Sequence, residues 1–451
     1  MNILLLVVDS LKADHLGISG YHRDTTPNID ELGEGGTYFR TAIPTMANTD
    51  PSIASILSGL YPYSNGVRDI GYKLDSSVNT LQKILHINGY KTIGHDIEMR
   101  ECGINLGFDV FNPLIWRITN KIKSTIRKTF DWKYDVNPAE TLTDFGIKYI
   151  SEAKNEKFFL YLHYISPHWP YHSPQSYENM FDPDYKGEHN FNQINGKIKR
   201  SELIFKNSLS KEENKHAVAH YDGAIRYVDY QIGRLLRHLE NLKLKDSTLI
   251  ILTADHAECF GEHGIYFNHG EYLYDEGIRV PLIFHHPELQ KKKIETQVQL
   301  TDILPTILEF LNIPLIGKID GVSLLPLIRE NRQVRKYTFG ESSKSYFGEH
   351  MRVYFDGLKG KWRMIRTDEW KLIYIPHPEQ DIYELYNLKN DPFEKNNLIG
   401  KETEIAESLK RNLFLWMDKK NSYLEEAKSE PYSKKDEKKV KERLRALGYI
   451  D

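Results

Sequence analysis

The 451 residues predict an α/β fold: a mainly parallel sheet covered by helices, followed by a smaller α+β body. Three observations carry that prediction. Short apolar runs rich in branched residues, at 3–8, 158–164, 248–253 and 280–284, read as strands buried on both faces. Amphipathic stretches at 52–57, 78–87, 142–152, 215–239 and 302–310 read as the covering helices. After about Glu341 the chain turns rich in Tyr, Trp and Lys, with strand-like pieces at 362–367, 370–375 and 381–387 before an amphipathic stretch at 402–418.

In the longest helical stretch Ile225, Val228, Ile232, Leu235, Leu236 and Leu239 recur at helical spacing and predict one apolar stripe against the sheet. Single cores stop growing at roughly 250–300 residues, so two bodies are expected. The expected division is a catalytic body over 1–340, a small body of antiparallel strands and a helix over 341–428, and a charged tail over 429–451 that packs back through Leu447, Tyr449 and Ile450.

Hydrophobic residues at 40% and charged residues at 27% are the proportions of an ordinary globular protein. A formal net charge of -3 gives no reason to expect a nucleic-acid polymer as partner. The two cysteines, Cys102 and Cys259, form no short pair, which argues against a disulfide framework and a thiolate zinc site. The leading apolar run lacks the basic lead of a signal peptide and reads as a strand, and no stretch approaches the roughly 20 apolar residues of a membrane span. The expected location is the cytoplasm.

Asp9 closes the first strand, and acidic residues at the carboxyl ends of parallel strands lie where open α/β sheets bind ligands. Asp255 and His256 follow the strand at 248–253 and supply a hard oxygen and a borderline nitrogen at the same sheet edge. A divalent cation held between two strand ends is therefore expected. Asp14 and His15, close behind Asp9, either support the site or orient the turn. In PTMANTDPSIASILSG, Pro51 suits a first helical turn and Thr49 and Asp50 suit a cap; a hydroxyl there also faces the anion-binding end of a helix, making Thr49 a credible nucleophile beside a cation.

Histidines supply the rest. FLYLHYISPHWPYHSP carries His168 in a Pro-aromatic turn, the choice for contact with the substrate anion or protonation of the leaving oxygen. His163, inside the strand, reads as a packed core histidine, and His172 is left open. FNHGEYLYDEGIRVPLIF places His269 as a substrate donor or extra metal ligand, with Asp275 and Arg279 as a pair. His263 reads as a supporting residue and Cys259 as a small buried one.

Taken in order, VVDSLKADHLG, TTPNIDELGEGGTYFRTA, DPSIASILSGLYP, YISPHWPY, YDGAIRYVDYQIGRLL, TADHAECFGEHG and EGIRVPLIF, with the late RMIRTDEWKLI and ELYNLKNDPFEKNNL, resemble the sulfatase family of the alkaline-phosphatase superfamily. The resemblance implies an alkaline-phosphatase/sulfatase-like three-layer sandwich with a small C-terminal subdomain of antiparallel strands plus helix. It implies Asp9, Thr49, Asp255 and His256 as metal ligands, Thr49 at the nucleophile position, and His168 and His269 as the catalytic histidines. The implied cofactor is one divalent cation, Mn, Zn, Ca or Mg, with a second left open.

The departures from the family pattern shape the expected activity. Family sulfatases carry Cys or Ser at the nucleophile position, converted to formylglycine, with Pro two residues on and Arg four on. Here Pro51 is kept, but Thr49 and Ile53 stand at the other two places. Threonine cannot yield the aldehyde, because its β-carbon bears a methyl group. Ser10 replaces a second aspartate, and Asn268 falls where many members have a sulfate-contacting lysine. Threonine nucleophiles resemble those of the superfamily's phosphodiesterases and phosphoglycerol transferases. The expected activity is metal-dependent hydrolysis of phosphate mono- or diesters through a Thr49 covalent intermediate. The alternatives are a sulfuric ester hydrolase acting without formylglycine, a phosphoglycerol-type phosphotransferase and a non-catalytic binding protein. The expected partner is a small anionic ester, and the sequence does not specify the oligomeric state.

Overall fold

A computed structural model of the chain describes residues 1–96, 102–111, 138–171, 173–186, 209–343, 361–377, 379–421 and 430–431, with 433, 435 and 438. His172, the basic run 121–127 with Trp116 and Trp132, and the terminal segment 444–451 lie outside them.

The large sheet comprises β1 (Asn2–Val8), β2 (Thr37–Ile43), β3 (Lys91–His95), β4 (Val110–Phe111), β5 (Phe158–Tyr164), β6 (Thr248–Thr253), β7 (Val280–His285), β8 (Lys292–Ile294) and β9 (Val298–Gln299). Their order is β9-β2-β7-β6-β1-β5-β3-β4, with β8 also paired to β2. β1 is buried along its whole length and has parallel partners on both sides, β5 and β6. A strand so enclosed meets no water on either face, hence its unbroken apolar run. β7 departs from the expected parallel direction, running antiparallel to both β6 and β2. β2 and β3 are not visible as apolar runs: Thr and Arg interrupt TYFRTAI, and KTIGH is short.

Helices α1 (Pro27–Glu34), α2 (Thr49–Ser58), α3 (Leu81–Ile87), α4 (Pro138–Glu152), α5 (Lys211–Asn241), α6 (Ile303–Phe310) and α7 (Leu325–Glu330) make the outer layers. α1 and α4 pack on α5, while α2, α3, α6 and α7 pack among themselves. α5 buries the predicted stripe from Ile225 to Leu239 and opens with a capping box: Glu213 N donates to Ser210 Oγ (3.2 Å) and Ser210 N to Glu213 Oε2 (2.7 Å). The architecture is an α/β three-layer sandwich. Among the described residues no helix is long and apolar enough to cross a membrane.

A second sheet follows, antiparallel in the order β10 (Thr338–Glu341), β11 (Arg363–Arg366), β12 (Trp370–Ile375) and β13 (Ile382–Asn387), with α8 (Thr403–Asn421) against it. Ala406, Leu409, Leu413 and Trp416 of α8 pack on Ile365, Leu372 and Leu385, joined by Tyr61 and Tyr63 from the large body. The two bodies are tied by buried charge. Lys371, with no exposed surface, places Nζ 2.9 Å from Asp275 Oδ1 and 2.7 Å from Glu394 Oε1. Arg366 Nη2 adds a contact to Asp275 Oδ2 at 3.0 Å. Burial opposes ionisation of Asp275, but Arg366 and Lys371 outweigh it and hold its carboxyl far below the usual range. Lys371→Met leaves two buried carboxylates facing each other without their shared cation, and is expected to cost about 3–5 kcal/mol. Chemical denaturation against wild type checks this.

Candidate metal centre

The parallel register of β1, β5 and β6 fixes the site. Val7 pairs with His163 on one side and Thr253 on the other, so the residues just beyond, Asp9 and Asp255, emerge side by side. β3 extends the row: His95 pairs with Leu162, which brings Asp96 beside His163. Asp9 N donates to Tyr164 O (2.8 Å), keeping the turn after β1 against β5. Ser10 N donates to Asp255 Oδ1 (3.3 Å), and Ser10 Oγ donates to Asp9 Oδ1 (3.0 Å). Asp255 Oδ1 also accepts from His256 N (2.9 Å).

Two histidine rings close on these carboxylates. His256 Nδ1 faces Ala257 O at 2.9 Å, and since a carbonyl only accepts, Nδ1 carries the proton. Nε2 is thereby turned to the carboxylates, 3.4 Å from Asp9 Oδ1 and 3.4 Å from Asp255 Oδ2. His163 Nδ1 donates to Asp96 Oδ2 (3.0 Å), leaving its Nε2 3.9 Å from Asp9 Oδ2. A carboxylate behind an imidazole is the usual device for orienting a metal-binding ring. Ligand atoms of Asp9, His163 and Asp255 lie within 4.8 Å of one another, and all three residues are buried. Asp255 Oδ2 and His163 Nε2 make no hydrogen bond among the described residues. Two buried carboxylates with an unsatisfied oxygen and unsatisfied imidazole nitrogen suit one divalent cation. The cluster is capable of coordinating such an ion.

Thr49 opens α2 after an extended Asn48 and is half-buried. Its Oγ1 lies 3.3 Å from His256 Nε2. Ser52 Oγ donates to Asp255 O (2.7 Å), docking the first turn of α2 on the acidic strand end. Ile53, where the family pattern would have arginine, is fully buried in the core. The other predicted histidines converge on His256. His269 stacks on His256 with ring centroids 4.0 Å apart, and His168 meets His269 edge-on at 5.2 Å. His168 Nδ1 donates to Trp169 O (2.7 Å), and His269 Nδ1 faces Glu258 Oε1 at 3.4 Å. Asn268 is buried beside them.

Asp9, Thr49, Asp255, His256, His168 and His269 thus occupy one place. Asp14 instead lies beside Arg279, with Arg279 Nη2 3.3 Å from its Oδ2, so Asp275 pairs with Arg366 and Lys371 rather than with Arg279. His15 is held by Asp222 at 2.7 Å, and His263 by Glu276 at 3.0 Å. His163 and its partner Asp96 are the residues that reading by strand position passes over. The signal for His163 is its place one residue before the end of a buried strand, level with Val7.

A match to the sulfatase family covers residues 1–313, and one to the C-terminal region of N-sulphoglucosamine sulphohydrolases covers 261–420. The chain belongs to the sulfatase family. This sulfatase-family protein is 28% identical to an arylsulfatase of Clostridium perfringens, with 89% of this chain and 90% of that protein covered. It is 24% identical to an N-acetylglucosamine-6-O-sulfatase of Bacteroides thetaiotaomicron, covering 94% and 86% of the two chains. Its fold superposes on a phosphonate monoester hydrolase of Agrobacterium radiobacter with a TM-score of 0.76 at 22% identity, over 93% of this chain and 96% of the other. The expected alkaline-phosphatase/sulfatase-like sandwich is therefore the fold, and the protein is a hydrolase of phosphoric or sulfuric esters.

His163 sits among three carboxylates. Burial alone would push its ring down, but Asp96 first, then Asp255 and Asp9, outweigh it and hold the ring at about 10, above the ordinary 6.5. For a group raised on folding, the stabilising contribution is full below the ordinary value and is lost as pH rises toward the raised one. With cations stripped by EDTA, the melting temperature is therefore expected to fall between about pH 7 and pH 10, and His163→Gln to flatten that slope. Cation uptake by wild type at neutral pH should release a proton, read by calorimetry in buffers of different ionisation enthalpy.

Proposed function

We propose that this protein hydrolyses sulfate esters without formylglycine, with the Thr49 hydroxyl itself as nucleophile. The observation that supports this is Thr49 Oγ1 at the head of α2, 3.3 Å from His256 Nε2, within a cluster framed by Asp9 and Asp255. The curated relatives above are sulfatases, which moves the reading away from the phosphate esters that Thr49 alone suggests. Asp9, Thr49, Asp255 and His256, with His163, would hold the cation. When bound, it lowers the pKa of a hydroxyl and offsets the negative charge of the ester anion.

The chain's own residues then divide the work. Thr49 Oγ1 attacks sulfur as its proton passes to one of His168 and His269, the bond from Oγ1 to sulfur forms, and the bond from sulfur to the ester oxygen breaks in line. The departing alkoxide takes a proton from the other histidine of that pair. Because the threonine β-carbon cannot lose the group by elimination as an aldehyde hydrate does, water must cleave the Thr49 ester at sulfur. The same two displacements serve a phosphate or phosphonate ester. Threonine's methyl group is the observation that favours that second reading.

The test is a metal-supplemented panel of matched aryl sulfate, phosphate, phosphodiester and phosphonate esters. Sulfate turnover is expected to lead, and Thr49→Ala to lower it on the order of 10³-fold or more. Turnover of phosphorus esters alone, equally dependent on Thr49, would establish the second reading instead. The proton donor is found by comparing His168→Ala and His269→Ala on two leaving groups. Removing the true donor should cost an alkyl ester about 10²–10⁴-fold and an ester of an acidic phenol little.

A further inference from the structure

Ser10 is a serine held at φ 62, a left-handed conformation that non-glycine residues other than Asn and Asp seldom adopt. At this turn the two strand-end carboxylates meet, because Ser10 reaches Asp255 through its N–H and Asp9 through its hydroxyl. Relaxing the turn would move both donors. The group that holds it comes from a distant part of the sequence, on α5. The Tyr221 hydroxyl donates to Ser10 O at 2.7 Å and accepts from Lys12 N at 2.9 Å, so one oxygen grips the main chain on both sides of the strained residue.

Tyr221 is placed for this and for little else. It has no exposed surface, and its ring is boxed by Phe260 at 4.9 Å, His15 at 5.1 Å and Tyr171 at 5.5 Å. The far end of the turn is fixed as well, since Lys12 Nζ donates to Glu262 Oε1, Glu258 O and Glu276 O, each at 3.1 Å. With both flanks of Ser10 anchored, strain at one residue is sustained by its surroundings.

We propose that Tyr221 is a positioning residue for the cation site: its hydroxyl holds the Asp9–Lys12 turn in the conformation that presents Asp9 and Asp255 to one ion. This rests on the reading of the carboxylate cluster as a metal centre. Outer groups that orient metal ligands typically change affinity about 10–100-fold when removed, and that range is expected here.

The experiment is calorimetric titration of Mn²⁺ into EDTA-stripped, full-length protein, comparing wild type, Tyr221→Phe and Tyr38→Phe. Tyr38 is an equally buried tyrosine whose hydroxyl meets Ser19 Oγ at 2.5 Å rather than the main chain of the Asp9–Lys12 turn. Tyr221→Phe should bind Mn²⁺ about 10–100-fold more weakly while keeping the wild-type circular dichroism spectrum, and Tyr38→Phe should bind as wild type does. Wild-type affinity in Tyr221→Phe, or equal weakening in both variants, overturns the inference. Loss of the fold in Tyr221→Phe while Tyr38→Phe stays folded makes the role structural and overturns it too. A wild-type protein that takes up no Mn²⁺ overturns the metal reading itself, and is distinguished from these outcomes because it appears before any substitution is made.

Discussion

Two buried carboxylates on adjacent strand ends set the terms for this molecule. Asp9 and Asp255 repel each other in a medium that screens poorly, and the parallel register of β1 and β6 leaves them no way to separate. The surrounding groups answer that repulsion: main-chain and hydroxyl donors at Ser10 and His256, imidazoles from opposite sides, and a geometry that suits a cation. The antiparallel strand β7 lies beyond β6, so the carboxyl ends of β3, β5, β1 and β6 stay contiguous and the acidic row is unbroken. Helix α2 is docked on that row through Ser52, which is why its first residue faces the site.

Positive charge is distributed differently from the family pattern. Ile53 points into the core, so the change from arginine also alters packing, and Asn268 brings no charge. Lys12, near Asp9 in sequence, is committed to Glu262 and two carbonyls. Among the described residues, His256 stands 3.3 Å from Thr49 Oγ1, and His269 and His168 follow it in a row of rings.

Asp9 and Asp255 were legible because each ends a continuous apolar run, and such runs are strands covered on both faces. Thr49 was legible through Pro51, whose missing N–H belongs in a first helical turn. His163 was not, because a histidine inside FLYLHY has the same pattern whether it packs or binds; only the neighbouring strand ends decide, and Asp96 sits after a strand too short and polar to see. His168 and His269 stood out in turns, but their approach to one another depends on loop paths that periodicity does not encode. The β10 strand was hidden for a similar reason, since TFGE has neither length nor alternation.

Glu394 has a part in this that its distance along the chain conceals. Its carboxylate accepts from Asp275 N and meets Lys371, while its carbonyl accepts from His263 Nε2, so it pins the loop that leads away from Asp255 and His256. During synthesis on the ribosome, β1, β5 and β6 emerge long before residue 394 does. The acidic row can form early, but the loop carrying Glu258 and His269 lacks its last anchor until nearly nine-tenths of the polypeptide has been made, so maturation of the centre is coupled to completion of the small sheet.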